Sequence, residues 1–163
     1  MPQPPFDKKA AHRWFAIELN NQSWSLIEAS PKTPQERANL LHSAHASAHH
    51  WYQVGKIANH ARAECLVANA HAASGNGDAA LVHARLCLKL IEAHPDEVED
   101  WDSAFTHDAL SRAFAATGNA EQAEDARRAA RQHGDRIADS EERQVFDDWF
   151  ANSVTAQGES SDA

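Results

Sequence analysis

Apolar residues recur at spacings of three and four along almost the whole chain, and nowhere do they alternate long enough to suggest a strand. The pattern predicts six to seven amphipathic helices joined by short breaks. Asp7 can cap a first helix running to about Ala29, with Trp14, Ile17, Leu19, Trp24 and Ile27 among its apolar residues. Ser30-Pro31-Lys32 ends it. Thr33-Pro34-Gln35-Glu36 then combines a capping hydroxyl, a proline suited to the first helical position and a glutamate placed to reach back. A second helix is expected over 34–54, with a core stripe of Leu40, Leu41, Ala44, Ala48 and Trp51. Further helices are predicted at about 56–74, 78–93, 101–117, 120–133 and 141–151. Pro95 stops the fourth, an acidic stretch at 96–102 leads to the fifth, and Gly134 ends or kinks the sixth. Val145, Phe146, Trp149 and Phe150 of the last helix can cover the open end of a stack. The expected domain is 7–151, with disordered tails at 1–6 and 152–163 that offer little to bury.

Two segments repeat one another. Ala72-Ala73-Ser74-Gly75-Asn76-Gly77-Asp78-Ala79-Ala80-Leu81 and Ala115-Ala116-Thr117-Gly118-Asn119-Ala120-Glu121-Gln122-Ala123 each join two helical patterns, and their glycines lie 43 residues apart. A helical hairpin cannot bury its apolar stripe alone, so such units stack into a short α-solenoid.

These residues resemble the tetratricopeptide repeat. The first unit, about 60–95, carries Val67, Ala68, His71, Gly75, Ala80, Ala84, Cys87 and Pro95. The second, about 103–134, carries Leu110, Ser111, Phe114, Gly118, Ala123 and Ala130. Ala80, Ala84 and Ala123 are small where helices approach closely. The chain departs from the family in its longer period, in His71 where an aromatic is usual, and in Arg127 at a position normally apolar. As a whole it is also similar to a group of small bacterial proteins of this kind.

The resemblance implies an all-α, tetratricopeptide-like helical hairpin repeat with antiparallel neighbours. It also implies a protein or peptide partner held along a concave face lined by helices one, three and five. The implied groove residues are Asn20, Asn21, Trp24, Asn69, Asp108 and Arg112. Asn69 with Arg112 resembles part of the clamp by which some family members hold a terminal carboxylate, since an amide and a guanidinium both donate to it. Asp108 stands where that clamp has a lysine, and its four-residue spacing to Arg112 equally suits an ion pair within the helix. Asn20 and Asn21, two amides beside Trp24, fit either a groove or a helix-packing network.

Charge narrows the partners. A formal net charge of −9 argues against nucleic acid, whose phosphates such a surface repels. No run of about 18 apolar residues suggests a membrane span. Asp7, Lys8, Lys9, His12 and Arg13 interrupt any export signal, so Cys65 and Cys87 are expected to be reduced thiols in a cytoplasmic protein. No catalytic signature appears: Gly75-Asn76-Gly77 lacks the lysine and hydroxyl of a phosphate loop. The expected function is therefore non-catalytic binding, with self-association into a homodimer through Trp149 and Phe150 as a further route.

Histidine supplies the competing chemistry. There are 11 histidines, and His42, His45, His49 and His50 fall within the second helix. At about 100° per residue, His42, His45 and His49 share an arc of roughly 60°, while His50 points elsewhere. Imidazole suits zinc, nickel, copper or iron, so this stripe is the candidate metal site and a divalent transition metal the alternative cofactor. Its outer members lie about 10 Å apart along the axis, so one ion would need a donor from another helix, such as His107 or Glu18. A polar stripe in a histidine-rich chain is the plainer explanation. His83 and Cys87 make an i, i+4 pair, though Cys87 sits at a packing position. His60 and Glu64 read as a solvated pair.

Overall fold

The computed structural model describes residues 5–31 and 33–158, with side chains as far as Asn152. Seven α-helices follow in order: α1 (Lys8–Glu28), α2 (Pro34–Val54), α3 (Ile57–Ala73), α4 (Gly77–Ala93), α5 (Asp100–Ala116), α6 (Ala120–Gly134) and α7 (Ser140–Gly158). A single 3₁₀ turn, Pro95–Glu97, occupies the acidic link. No strand occurs among the described residues, and no helix there is long and apolar enough to cross a membrane. α7 continues past the end expected at 151, while residues 1–4 and 159–163 of the expected tails lie outside the described residues.

Local chemistry sets the helix ends. Asp7 accepts from the amides of Lys9 and Ala10, and Thr33 and Glu36 form the reciprocal cap. The two repeated turns share one construction. Gly75 and Gly118 have φ of 78° and 77°, a left-handed conformation that glycine adopts without penalty. Asn76 N donates to His71 O at 2.9 Å and Gly75 N to Ala72 O at 3.0 Å; Asn119 N to Phe114 O and Gly118 N to Ala115 O, both 3.0 Å, repeat the arrangement. This paired closure satisfies the last carbonyls of one helix. The asparagine then caps the next: Asn76 Oδ1 accepts from Ala79 N at 3.3 Å, and Asn119 Oδ1 from Gln122 N at 3.2 Å.

The helices pair as hairpins α1–α2, α3–α4 and α5–α6, and α3 also packs on both α1 and α5. Alanine makes this close stacking possible: Ala61, Ala68, Ala80, Ala84, Ala109 and Ala113 are buried in one cluster. A second cluster joins α1, α2 and α3 around Ile27, Leu40, Leu66 and Val67. Of the stripe expected on α2, Leu40, Ala44 and Ala48 are buried, and Leu41 and Trp51 partly so. Serines complete that contact. Ser47 Oγ donates to Ala16 O at 2.8 Å, and Ser23 Oγ to Ser43 Oγ at 3.0 Å. With small residues at the α1–α2 seam, Trp14, Phe15 and Ile17 are left exposed.

Phe146 and Phe150 of α7 are buried with Ala104, Ala130 and Ile137. The Arg127 guanidinium lies 4.2 Å from the Phe150 ring centre, so α7 covers this charged side chain.

Candidate functional site

Two places gather chemistry on α3, on roughly opposite sides of that helix. Arg62 and Cys65 face one way; Glu64 and His71, displaced by well over 90° at about 100° per residue, face the other.

On the first side, α1, α3, α5 and α7 enclose a cavity of about 380 Å³ with Trp24, Trp101, Phe105 and Val145 among its walls. Its deeper polar groups are engaged within the chain. Arg62 makes a two-pronged ion pair with Asp102 at 2.8 and 2.9 Å and stacks 4.2 Å over Trp101. Thr106 Oγ1 donates to Asp102 O at 2.7 Å and meets Cys87 Sγ at 3.1 Å. Cys65 and Cys87 are free and buried. Hydrogen bonding with Cys87, then burial, pushes the Cys65 thiol up, so it stays protonated. Asn20 and the exposed Glu142 also line it; Asn20 Nδ2 donates to Asn21 Oδ1 at 3.3 Å, and Glu142 acts on Arg62 through its charge.

The other groove candidates sit differently. Asn69 is buried; its Nδ2 donates to Cys65 O at 2.9 Å and its Oδ1 has no hydrogen-bond partner among the described residues. Asp108 is almost fully buried and accepts from Arg112 Nε at 2.7 Å and from Trp149 Nε1 at 2.8 Å. The Arg112 guanidinium lies 4.2 Å over the Trp149 ring, which meets Trp24 edge-on at 5.1 Å. Asp108 and Arg112 thus form the intrahelical ion pair, and α7 covers it. None of Asp108, Arg112 and Trp149 lines the cavity.

On the other side of α3, His45 of α2, His71 of α3 and His83 of α4 converge, each offering a ring nitrogen within 4.8 Å of the others. His45 Nε2 and His71 Nε2 are 3.0 Å apart. Glu64, buried beside them, receives His83 Nδ1 at 2.6 Å on one oxygen and the Tyr52 hydroxyl at 2.7 Å on the other. Burial pushes the Glu64 carboxyl up, but those two hydrogen bonds and the nearby imidazoles leave it net lowered. Burial, then Glu64, pushes the Tyr52 hydroxyl up. Burial first, then the His45 and His83 rings, holds His71 down to about 4, and burial with His83 lowers His45. His71 is therefore neutral at pH 7.

Of the stripe expected on α2, only His45 enters this cluster. One straight helix spaces its rings along its axis, whereas three helices can aim one ring each at a point. His42 is exposed and is not part of the cluster. His49 instead neighbours His12 and His50, whose Nδ1 atoms lie 2.8 Å apart. The helper donors named from sequence go elsewhere too: His107 stacks on His133 at 4.9 Å, and Glu18 is exposed. Glu64 is not the solvated partner of His60, because its carboxylate is drawn inward by His83 and Tyr52, and His60 stacks on Tyr52 at 4.4 Å. His71, Glu64, Tyr52 and His83 were each visible in the sequence, His71 as a repeat anomaly, but nothing in linear spacing joined them. Comparison of the chain with protein-family models, curated proteins and solved structures returned no match.

Proposed function

We propose that the protein is a tetratricopeptide-like binding module, without catalysis, that receives an apolar side chain of a protein or peptide partner in the cavity between α1, α3, α5 and α7. The cavity carries this reading. At about 380 Å³ it lies within the range of about 300–1,000 Å³ typical of ligand sites. Its aromatic walls offer the rigid apolar contact on which interface hot spots rest. Since Arg62 and Asp102 neutralise each other, binding energy comes from burial of the anchor, with Asn20 and Glu142 addressing the partner's polar backbone or a flanking cation. Recognition of a terminal carboxylate is not part of this reading, because Arg112 is committed to Asp108 beneath Trp149.

The test is selection of a displayed random-peptide library on the purified protein, counter-selected on Val145→Asp, an exposed position whose change leaves the core intact. Enriched peptides should share one aromatic or large aliphatic anchor and bind the variant at least about tenfold more weakly, one desolvated anchor contact being worth more than about 1 kcal/mol. Selection of peptides indifferent to Val145→Asp and Trp24→Ala, or of none, removes the reading.

A further inference from the structure

The geometry points to a mononuclear site for a divalent transition ion of the zinc class, with His45, His71 and His83 as its three protein ligands and Glu64 as the residue that positions His83. Ring positions carry this inference. The centroids of His45 and His71 are 5.2 Å apart, those of His45 and His83 5.5 Å, and those of His71 and His83 5.5 Å. The three rings make a nearly equilateral triangle. A tetrahedral ion with bonds of about 2.0–2.1 Å to imidazole nitrogen places its ligand nitrogens about 3.3 Å apart and its ring centres about 5.2 Å apart. The observed triangle already has those dimensions, and the 3.0 Å approach of His45 Nε2 to His71 Nε2 puts two nitrogens within a few tenths of an ångström of them.

Three side chains from three helices do not reach one point by helix periodicity, and the surroundings fit a ligand set. Glu64 holds His83 through Nδ1, leaving Nε2 as that ring's free nitrogen. Tyr52 fixes the other carboxylate oxygen. Such an outer carboxylate selects the tautomer of a metal-bound histidine and raises its basicity. Three neutral nitrogens with no thiolate suit zinc, copper or nickel ahead of magnesium or calcium, which prefer oxygen. His45 is exposed, so a fourth position is open to water or an exogenous ligand. This site is separate from the cavity and does not depend on it.

The probe is Zn²⁺ itself, added to untagged full-length protein stripped with a chelator, with Co²⁺ as the spectroscopic stand-in. Titration should saturate at one ion per chain, and Co²⁺ should develop the intense visible bands of a tetrahedral nitrogen site. His45→Ala, exposed and harmless to the core, and His83→Ala should each weaken Zn²⁺ by at least about tenfold. Glu64→Gln should weaken it about 10–100-fold while keeping the stoichiometry. The His42→Ala/His49→Ala double variant, on the same helix as His45, should bind as wild type does. Circular dichroism confirms that each variant is folded. Failure to saturate at one ion, affinity unchanged in both His45→Ala and His83→Ala, or an equal loss in the His42→Ala/His49→Ala control overturns the assignment. Loss confined to the histidine variants, with Glu64→Gln unchanged, overturns the role of Glu64.

Discussion

Gly134→Ala sets two opposed effects against each other at the seam between α6 and α7. Replacing a helical glycine by alanine normally stabilises by up to about 1 kcal/mol, because the unfolded chain loses freedom. Gly134 is the last residue of α6, where that gain is smallest. A Cβ there would point into the Phe146 ring, within 2.6 Å of Cδ1 and 3.0 Å of Cζ, with Cε1 nearer still. Carbon atoms at rest lie about 3.5–4.0 Å apart, so the ring would have to retreat by about 1 Å. Phe146 is fully buried, with Phe105 and Phe150 each centred 5.3 Å away, so it has no free space to enter. Overpacking of that kind costs about 1–3 kcal/mol and outweighs the backbone gain. We expect Gly134→Ala to lower stability by about 1–2 kcal/mol, read as a shift of the urea midpoint at constant slope. In a Phe146→Leu background, where the ring is gone, the same change should be neutral or stabilising. Stabilisation in the wild-type background, or an equal cost in both, would refute the reasoning.

Acidification should weaken the metal-free protein: with His71 held near 4 when folded and at 6.5 when unfolded, the unfolded chain binds more protons between those values. Stability therefore falls as pH drops from 6.5 towards 4, by up to about 3 kcal/mol, and the lowered His45 acts in the same direction. Calorimetry at stepped pH on wild type and His71→Leu checks this, since the variant should lose much of the slope. Gly77→Ala should cost about 1–3 kcal/mol by denaturant unfolding, because its Cβ would lie 2.6 Å from Ala116 C and 2.7 Å from Thr117 N. Ala120→Gly, at the exposed matching position of the second turn, should cost about 1 kcal/mol or less. Trp149→Phe keeps an aromatic ring, though a smaller one, but removes the donor to Asp108 and should cost about 1–3 kcal/mol, with a loss below about 0.5 kcal/mol contradicting that bond's weight. Zn²⁺ at about 100 times its dissociation constant should add about 2.7 kcal/mol and raise the melting temperature by about 5–10 °C, an increment absent in His83→Ala.

The two turns show what a sequence of this type makes legible. Gly-Asn at 75–76 and at 118–119 encodes a left-handed helix stop followed at once by a capping amide, all within a few residues, so both turns were readable without tertiary knowledge. The next residue was not. Gly77 and Ala120 occupy matching places, yet only Gly77 is pressed against the end of α5, whereas Ala120 is exposed. That difference belongs to stacking order. The histidine cluster escaped for a related reason. Periodicity on α2 puts His42, His45 and His49 on one face, but a face does not say which neighbours it meets. His83 and Glu64, 19 residues apart, are joined only because α3 and α4 lie side by side. The seam of α1 was hidden by its small residues, since Ala16 and Ser23 are buried while the conspicuous Trp14 is outside.

α3 buries several polar groups, as α5 does with Asp102, Thr106, Asp108 and Ser111. Glu64, Asn69 and His71 are all buried on a single helix of 17 residues. Burying such groups is unfavourable unless every polar atom finds a partner, and apolar side chains of similar volume would stabilise the stack more. Glu64 is satisfied at both oxygens. Asn69 Oδ1, His71 Nδ1 and His60 Nε2 have no hydrogen-bond partner among the described residues, and Asn69 lies on a different side of the helix from the two histidines. Unpartnered polar atoms in a close-packed interior mark places where stability has been given up, which happens where function constrains the residue. Asn69 stands on the Cys65 side, towards the cavity, and His71 stands in the cluster shared with α2 and α4. Each of the two sides of α3 to which a role is assigned therefore holds at least one such atom, so neither side is optimised for packing alone.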